Sequence, residues 1–381
     1  MKRPALPHGS PEFRDRAASP RGLVLFTESS RNMGGQEWQL LQQIQALRSS
    51  GMDSVLACRP DSLIALAARK ASVETLTLPF RNSTNPSTLL GLHNFLKSRR
   101  PVACVCHSGH DTNNLSIAAR TLQRRPRLIR SRTYHCGRAS SWTYNHFVDA
   151  TVVPSEHLRR QILANQRIAA HRVKTVYPGV DFDGLDADLD RPLPADLQQW
   201  IDAGDGPLLV QVGMFRREKG HHVTLEAIAE ARRHLPNLRY VAAGSGPLEA
   251  EIRAQIGALG LGAAVWVGEV RPVAPLLKQA DVLLMPSLAE PLGMAQIEAL
   301  GLGIPVLASD VDGIPETVSH LETGMLVPPG DVRKWTESIE FALARPETMR
   351  VMAERGRADV RGRFSVELNT STLLGLMAHH R

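Results

Sequence analysis

Two carboxylates, Glu290 and Glu298, stand eight residues apart within residues 283–312, LLMPSLAEPLGMAQIEALGLGIPVLASDVD. Glu290 falls in a Pro/Gly loop and Glu298 in a short apolar helix. A carboxylate shielded from water must find donors or take up a proton. The vicinal hydroxyls of a ribose are such donors. The loop Pro291-Leu292-Gly293-Met294 leads into that helix, and the free N–H groups of a helix start suit a phosphate. A lone Glu on a helix is usually solvated. Here Ile297, Ala299 and Leu300 surround Glu298 with apolar side chains, which favours the binding reading.

Other residues offer complementary chemistry. Lys219 lies in Gly213-Met214-Phe215-Arg216-Arg217-Glu218-Lys219-Gly220, just before a helix. A basic residue beside a glycine at a helix start can clamp a diphosphate. Gly34-Gly35 precede another helix, where backbone can approach a phosphate closely, although such a pair is often only a turn. His107 follows the apolar run 102–106, at the end of a strand and able to face a ligand. A single histidine there is more often structural. Arg130 and Arg132 alternate along 128–132, so both would point to one face. With His135 they are candidates to receive an acceptor phosphate, or to pair with carboxylates elsewhere.

These residues need a scaffold. Apolar runs at 22–26, 54–58, 73–78, 102–106, 128–132 and 150–156 read as buried parallel strands, as do 207–212, 238–243, 265–270, 282–285 and 305–308. Helical patterns alternate with them at 36–48, 61–70, 85–98, 115–122, 221–234, 271–279 and 294–300. Further helices are expected at 332–344 and 346–361. This alternation builds doubly wound α/β sheets, which bind ligands at the carboxyl ends of their strands. No G-x-G-x-x-G follows the first strand, which disfavours a nicotinamide dehydrogenase.

Glu290 to Glu298, with Ala299-Leu300, Gly303, Pro305-Val306 and Gly313-Ile314-Pro315-Glu316, resembles the donor-site block of retaining GT-B glycosyltransferases of family 4, the group 1 glycosyl transferases. Residues 323–331, TGMLVPPGD, resemble that family's G-x-L-V-x-P-G-D ending. Gly34-Gly35-Gln36-Glu37 resembles its G-G-x-E loop, and 213–220 its G-R-x-x-x-x-K-G loop. Lys219 matches the lysine of that last pattern, but Met214 stands where it has arginine. The resemblance implies a GT-B architecture: two Rossmann-like domains facing across a cleft. It implies transfer of a sugar from a nucleotide-sugar with retention, without an essential metal or cofactor. Lys219, Gly34, Gly35 and the helix start at Gly293-Met294 would neutralise the diphosphate, with Arg216 or Arg217 as a substitute cation, although neither matches by position. Pro291 and Leu292 would complete the donor loop, and the turn at Gly268 would lie against the base. Glu298 would hold the ribose. Glu290 and His107 would orient the sugar. Asp181-Phe182-Asp183 and Asp186-Ala187-Asp188 are D-x-D patterns, but they lie in a linker-like stretch and no metal site is expected there.

The chain has 381 residues, enough for two domains, and 43% hydrophobic residues, enough for two cores. Its net charge of +7 is unevenly spread. Residues 1–178 carry 26 Lys+Arg against 10 Asp+Glu, a balance of +16, while the remainder balances at −9. The first half is therefore expected to meet something anionic. Aromatic residues make up 5% and no stacking platform is evident, which disfavours nucleic acid. No apolar run reaches transmembrane length. The four cysteines lack zinc-like spacing and read as reduced thiols of a cytoplasmic protein.

The expected organisation is a disordered tail (1–21), an acceptor-side domain (22–180), a linker (181–206), a nucleotide-sugar domain (207–362) and a helix crossing back (363–381). The expected function is hexosyl transfer to an anionic glycolipid or cell-surface polysaccharide of lipopolysaccharide type. The expected setting is the inner face of the membrane, with peripheral contact through the basic first domain. A uridine diphosphate sugar is the preferred donor. The alternatives are a GT-B nucleotide-sugar epimerase and a degenerate homologue that binds donor or a partner without catalysis.

Overall fold

The computed structural model describes residues 22–134 and 140–378. The expected tail, His135 and Cys136 lie outside the described residues.

Seven strands form the first sheet: β1 (Leu23–Glu28), β2 (Asp53–Cys58), β3 (Glu74–Thr77), β4 (Ala103–Cys106), β5 (Arg127–Ser131), β6 (Ala150–Val153) and β7 (Val173–Thr175). Between them run α1 (Gly35–Ser49), α2 (Leu63–Lys70), α3 (Pro86–Arg99), α4 (Gly109–Arg120) and α5 (Glu156–Leu163). All pairings are parallel, in the order β3-β2-β1-β4-β5-β6-β7. The strands read as unbroken apolar runs because both faces are covered. Val24, Phe26, Leu56 and Val105 pack on one side, and Leu25, Val55, Cys104 and Cys106 on the other.

Two helices follow, α6 (Phe182–Ala187) and α7 (Ala195–Asp202). Residues 181–206, expected as a linker, are thus largely helical. Phe182, Leu197 and Ile201 pack into the second domain's core with Leu208 and Val210. Their few apolar side chains are spaced among Asp, Pro and Gly, which masks the amphipathic pattern.

The second sheet holds β8 (Leu208–Val212), β9 (Arg239–Ala243), β10 (Val265–Gly268), β11 (Val282–Met285), β12 (Val306–Ser309) and β13 (Met325–Val327), in the order β10-β9-β8-β11-β12-β13. Its helices are α8 (His221–Ala231), α9 (Glu249–Ala258), α10 (Ala274–Lys278), α11 (Ala295–Gly301), α12 (Val332–Ala344) and α13 (Pro346–Arg363). The last helix, α14 (Val366–Ala378), returns to the first domain, where Leu373 and Met377 join Val24, Phe26 and Ile44. The chain crosses itself there. A Cβ on Gly179 would lie 2.6 Å from the Val366 Cα, so only glycine fits.

Two helices differ from expectation. α4 starts at Gly109, six residues before the expected 115, because Ser108 and Asp111 form a capping box. The helix expected over 271–279 is confined to Ala274–Lys278. In both sheets the strand order reverses beside the first strand, between β1 and β4 and between β8 and β11. Those switch points are where open α/β sheets bind ligands.

Candidate functional site

The second domain's switch point brings together the loops after β8 and β11. The β8 loop ends in a short turn, Arg217–Lys219, closed by Gly220 at φ +69°. A Cβ on Gly220 would lie 2.0 Å from the Pro286 carbonyl oxygen, so glycine allows the two loops to touch. The Gln211 amide donates to the Lys219 carbonyl at 2.8 Å, and the Leu288 N–H donates to the Glu218 carbonyl at 2.8 Å. Those bonds aim the Lys219 ammonium at the Glu290 carboxylate, with which it pairs. Ser287 Oγ donates to the same Glu290 oxygen at 3.3 Å. The Glu290 side chain is only 9% exposed and that of Lys219 24%, so the pair is shielded.

The Glu290 loop is fixed from below. Its N–H donates to Asp312 Oδ2 at 2.9 Å, and the Gly313 N–H donates to the Glu290 carbonyl at 3.1 Å. Pro291 and Leu292 follow, then Gly293 at φ +88°, then Met294 as the N-cap of α11. The first N–H groups of α11 have no intrahelical partner. Glu298, half-buried, makes no side-chain hydrogen bond or ion pair with any described residue. Burial pushes its carboxyl up to about 7, with the Arg271 guanidinium opposing. Gly268 ends β10, and Gly244 N–H donates to its carbonyl at 2.7 Å.

The first domain's switch point supplies the facing wall. His107 follows β4 and is buried. Its Nδ1 lies 3.1 Å from the Thr27 carbonyl, which can only accept, so Nδ1 carries the hydrogen and Nε2 presents a lone pair. Burial lowers the His107 pKa against the opposing pull of the Thr27 carbonyl, Asp111 and Glu37. The imidazole is therefore neutral at neutral pH. The Gly34 N–H donates to Glu37 Oε2 at 2.8 Å. At Gly35 an added Cβ would meet nothing within 4 Å, so no packing inside the chain requires that glycine.

Glu28, at the end of β1, was not singled out from sequence. It is 1% exposed and accepts from the Ser30 N–H at 2.8 Å and the Gln36 amide at 2.7 Å. Burial, and then the nearby Asp111 carboxylate, push its pKa up to about 8. Its only sequence signal was an acid at the end of an apolar strand. Beside His107 a cavity of about 30 Å3 is lined partly by the neutral polar side chains of Gln36, Gln39, Gln43 and Asn369 and partly by apolar ones such as Val105 and Leu373.

The two walls meet. A Cβ on Gly34 would lie 3.8 Å from Met214 Sδ, so Met214 sits against the glycine loop. Arg271 stacks 4.8 Å over the Trp38 ring of α1. Tyr134 lies within electrostatic reach of Lys219, Glu290 and Arg216. Both candidate substitute cations, Arg216 and Arg217, are exposed, and Arg216 acts electrostatically on Tyr134. Arg130 is only 6% exposed, with its guanidinium 5.4 Å over the Tyr144 ring. It points into the domain rather than to an open face, and Arg132 falls just past the end of β5. His135 lies outside the described residues.

Three of the four D-x-D aspartates have structural partners. Asp181 caps α6, accepting the Gly184 N–H at 2.9 Å. Asp186 pairs with Arg361 at 2.6 Å and Asp188 with Arg191 at 2.7 Å.

Two family models match the chain. Residues 195–359 match "Glycosyl transferases group 1" and residues 33–183 match "Glycosyltransferase Family 4". A D-inositol 3-phosphate glycosyltransferase of Segniliparus rotundus is 32% identical over 244 residues, covering 62% of this chain and 52% of the relative. The chain spans about half to two thirds of the length of the curated relatives it matches. Among solved structures, a glycosyltransferase from Rickettsia africae superposes with a TM-score of 0.82 at 17% identity, over 93% of this chain and 97% of that one. Anabaena Alr3699/HepE, solved in complex with UDP and glucose, superposes with a TM-score of 0.78 at 18% identity, over 94% and 100%. At those identities the two structures establish the GT-B fold alone.

Proposed function

We propose that this chain, which belongs to the group 1 (family 4) glycosyltransferases in both its halves, transfers a hexose from a nucleoside diphosphate sugar to a hydroxyl of an anionic glycolipid or cell-surface saccharide. The observation that carries this is the shielded Lys219–Glu290 pair at the second domain's switch point, with Met214 of the same β8 loop against Gly34 of the first domain.

In this reading Glu298, which makes no side-chain hydrogen bond with any described residue, accepts the two ribose hydroxyls. The diphosphate meets Lys219, the backbone of Gly34-Gly35 and the N–H groups at the start of α11. Lys219 then exchanges its Glu290 partner for phosphate oxygen, and Glu290 turns to sugar hydroxyls. As the bond from the anomeric carbon to the diphosphate breaks, charge grows on the leaving oxygen and Lys219 stabilises it. The acceptor oxygen bonds to the same face of that carbon, and its proton passes to the departing phosphate. The configuration is retained and no metal is needed. Neutral His107 holds a sugar hydroxyl rather than a charge.

Uridine diphosphate is the preferred nucleotide, supported by the bound UDP named for the Anabaena structure. An anionic acceptor is supported by the relative named for inositol 3-phosphate and by the basic first domain. No helix among the described residues is long and apolar enough to cross a membrane. Contact with a lipid-borne acceptor would be peripheral, through the basic surface of the first domain at the inner membrane face.

Calorimetric titration of UDP, GDP and ADP, without added metal, into wild type and Glu298→Ala tests the donor site. One nucleotide should bind, and the variant should lose most of the affinity. If none binds, the donor reading fails and a non-catalytic homologue takes its place. Conversion of a nucleotide-sugar without acceptor would favour the epimerase.

A further inference from the structure

Next to the donor loop, a short turn of the second domain reaches the first domain through two side chains. Asp312 has φ +49°, a left-handed conformation that Asp tolerates better than most residues. One of its carboxylate oxygens accepts the Glu290 N–H at 2.9 Å. The other lies 3.3 Å from Nε2 of His157, on α5 of the first domain. The Gln161 amide nitrogen lies 2.7 Å from the same Nε2 and competes with Asp312 for it, donating to it when that nitrogen carries no proton.

Four residues on, Glu316 makes a second crossing. Its carboxylate accepts the Glu156 N–H at 2.9 Å and the His157 N–H at 2.6 Å, capping α5 from the opposite domain. The Tyr177 hydroxyl donates to it at 3.0 Å, and Arg363 donates to its backbone carbonyl at 2.7 Å. Helix N-terminal N–H groups with no other partner favour an anion there.

Asp312 therefore touches both the sugar-orienting loop and the first domain. We infer that Asp312 and Glu316 are positioning residues that set Glu290 only when the first domain's α5 is docked, tying the geometry of the donor sugar to domain closure. A domain that swings away takes His157 and the capped N–H groups with it. The Glu290 backbone then keeps only the unsupported half of its Asp312 contact.

This inference rests on the glycosyltransferase reading, and its test separates the two. Transfer kinetics, UDP affinity and X-ray scattering of the UDP-bound full chain are measured for wild type and four variants. Glu316→Ala and His157→Ala should lower kcat by about tenfold, because the reacting groups are misplaced. Their UDP affinity should fall by no more than about threefold, because Lys219, Glu298 and the α11 start lie in the second domain and only the Gly34-Gly35 contact comes from the first. Their radius of gyration should exceed that of wild type. Asp312→Gly tolerates the left-handed backbone and removes only the side chain, so it should also raise the donor KM. Asp312→Asn keeps an acceptor for the Glu290 N–H and should recover most of that KM. Unchanged kcat in Glu316→Ala and His157→Ala overturns the coupling. So does an unchanged radius of gyration, a readout that stands even if wild type transfers nothing. Failure of wild type to bind any nucleotide strikes the parent reading instead.

Discussion

The Lys219 ammonium and the Glu290 carboxylate, 71 residues apart in the chain, form a shielded ion pair at the mouth of the second sheet. Each is the other's main compensation. Removing one leaves a charge in a place with little water. Lys219→Ala should therefore destabilise the protein by about 2 kcal/mol and lower kcat by about 100-fold or more. Lys219→Ala/Glu290→Ala together should recover part of the stability and none of the activity. Thermal denaturation and transfer assays across the double-mutant cycle check both.

Glu298 gives a pH signature. Its folded pKa of about 7 lies above the ordinary 4.5, so the folded state holds the proton more tightly than the unfolded chain. That contribution is complete below about pH 4.5 and is lost as pH rises through 7. Glu298→Gln removes the loss. The ligand-free variant should be more stable than wild type by about 1–2 kcal/mol at pH 8 and equal to it near pH 4.5, as denaturation at the two pH values would measure.

Ribose hydroxyls favour the ionised carboxylate. UDP binding below pH 7 should then release a proton, and affinity should fall by up to about tenfold per pH unit. Calorimetry in two buffers of different ionisation enthalpy reads the proton count.

His107 lies in the other domain and is neutral. His107→Ala should lower kcat about 100-fold while leaving the UDP dissociation constant within about threefold. A parallel loss of UDP affinity would place His107 in nucleotide binding instead.

Met214 stands beside Gly34, where the family pattern has arginine. Met214→Arg should tighten UDP binding by about three- to tenfold and steepen its salt dependence, because a charge-assisted contact replaces a thioether. Titrations at two ionic strengths test this.

Much of the molecule was legible in the chain alone. Buried parallel strands are continuous apolar runs because both faces must exclude water, so β1, β4, β8 and β11 declare themselves locally. Gly220 and Gly293 mark left-handed turns for a steric reason that no context changes. The Glu290–Glu298 spacing, with the residues that follow it, was enough to mark the loop between β11 and α11 that meets the β8 loop. Helix starts set by side-chain caps, as at Ser108 and Asp111, were readable in principle but hidden by a polar stretch. Helices α6 and α7 were hidden for a different reason: they are helical because Phe182 and Leu197 find a distant core.

The tertiary structure decided the rest, because those features depend on contacts between segments far apart in sequence. No local pattern pairs Lys219 with Glu290, or places Met214 on Gly34 of the facing domain. Arg130 looks like an exposed anion contact on an alternating strand. Its burial under Tyr144 is set by a helix that comes later in the chain. Burial of Glu28 and Glu298, and the Asp111 carboxylate beside Glu28, come from the fold alone, and Asp312 and Glu316 gain their cross-domain partners only when two domains meet.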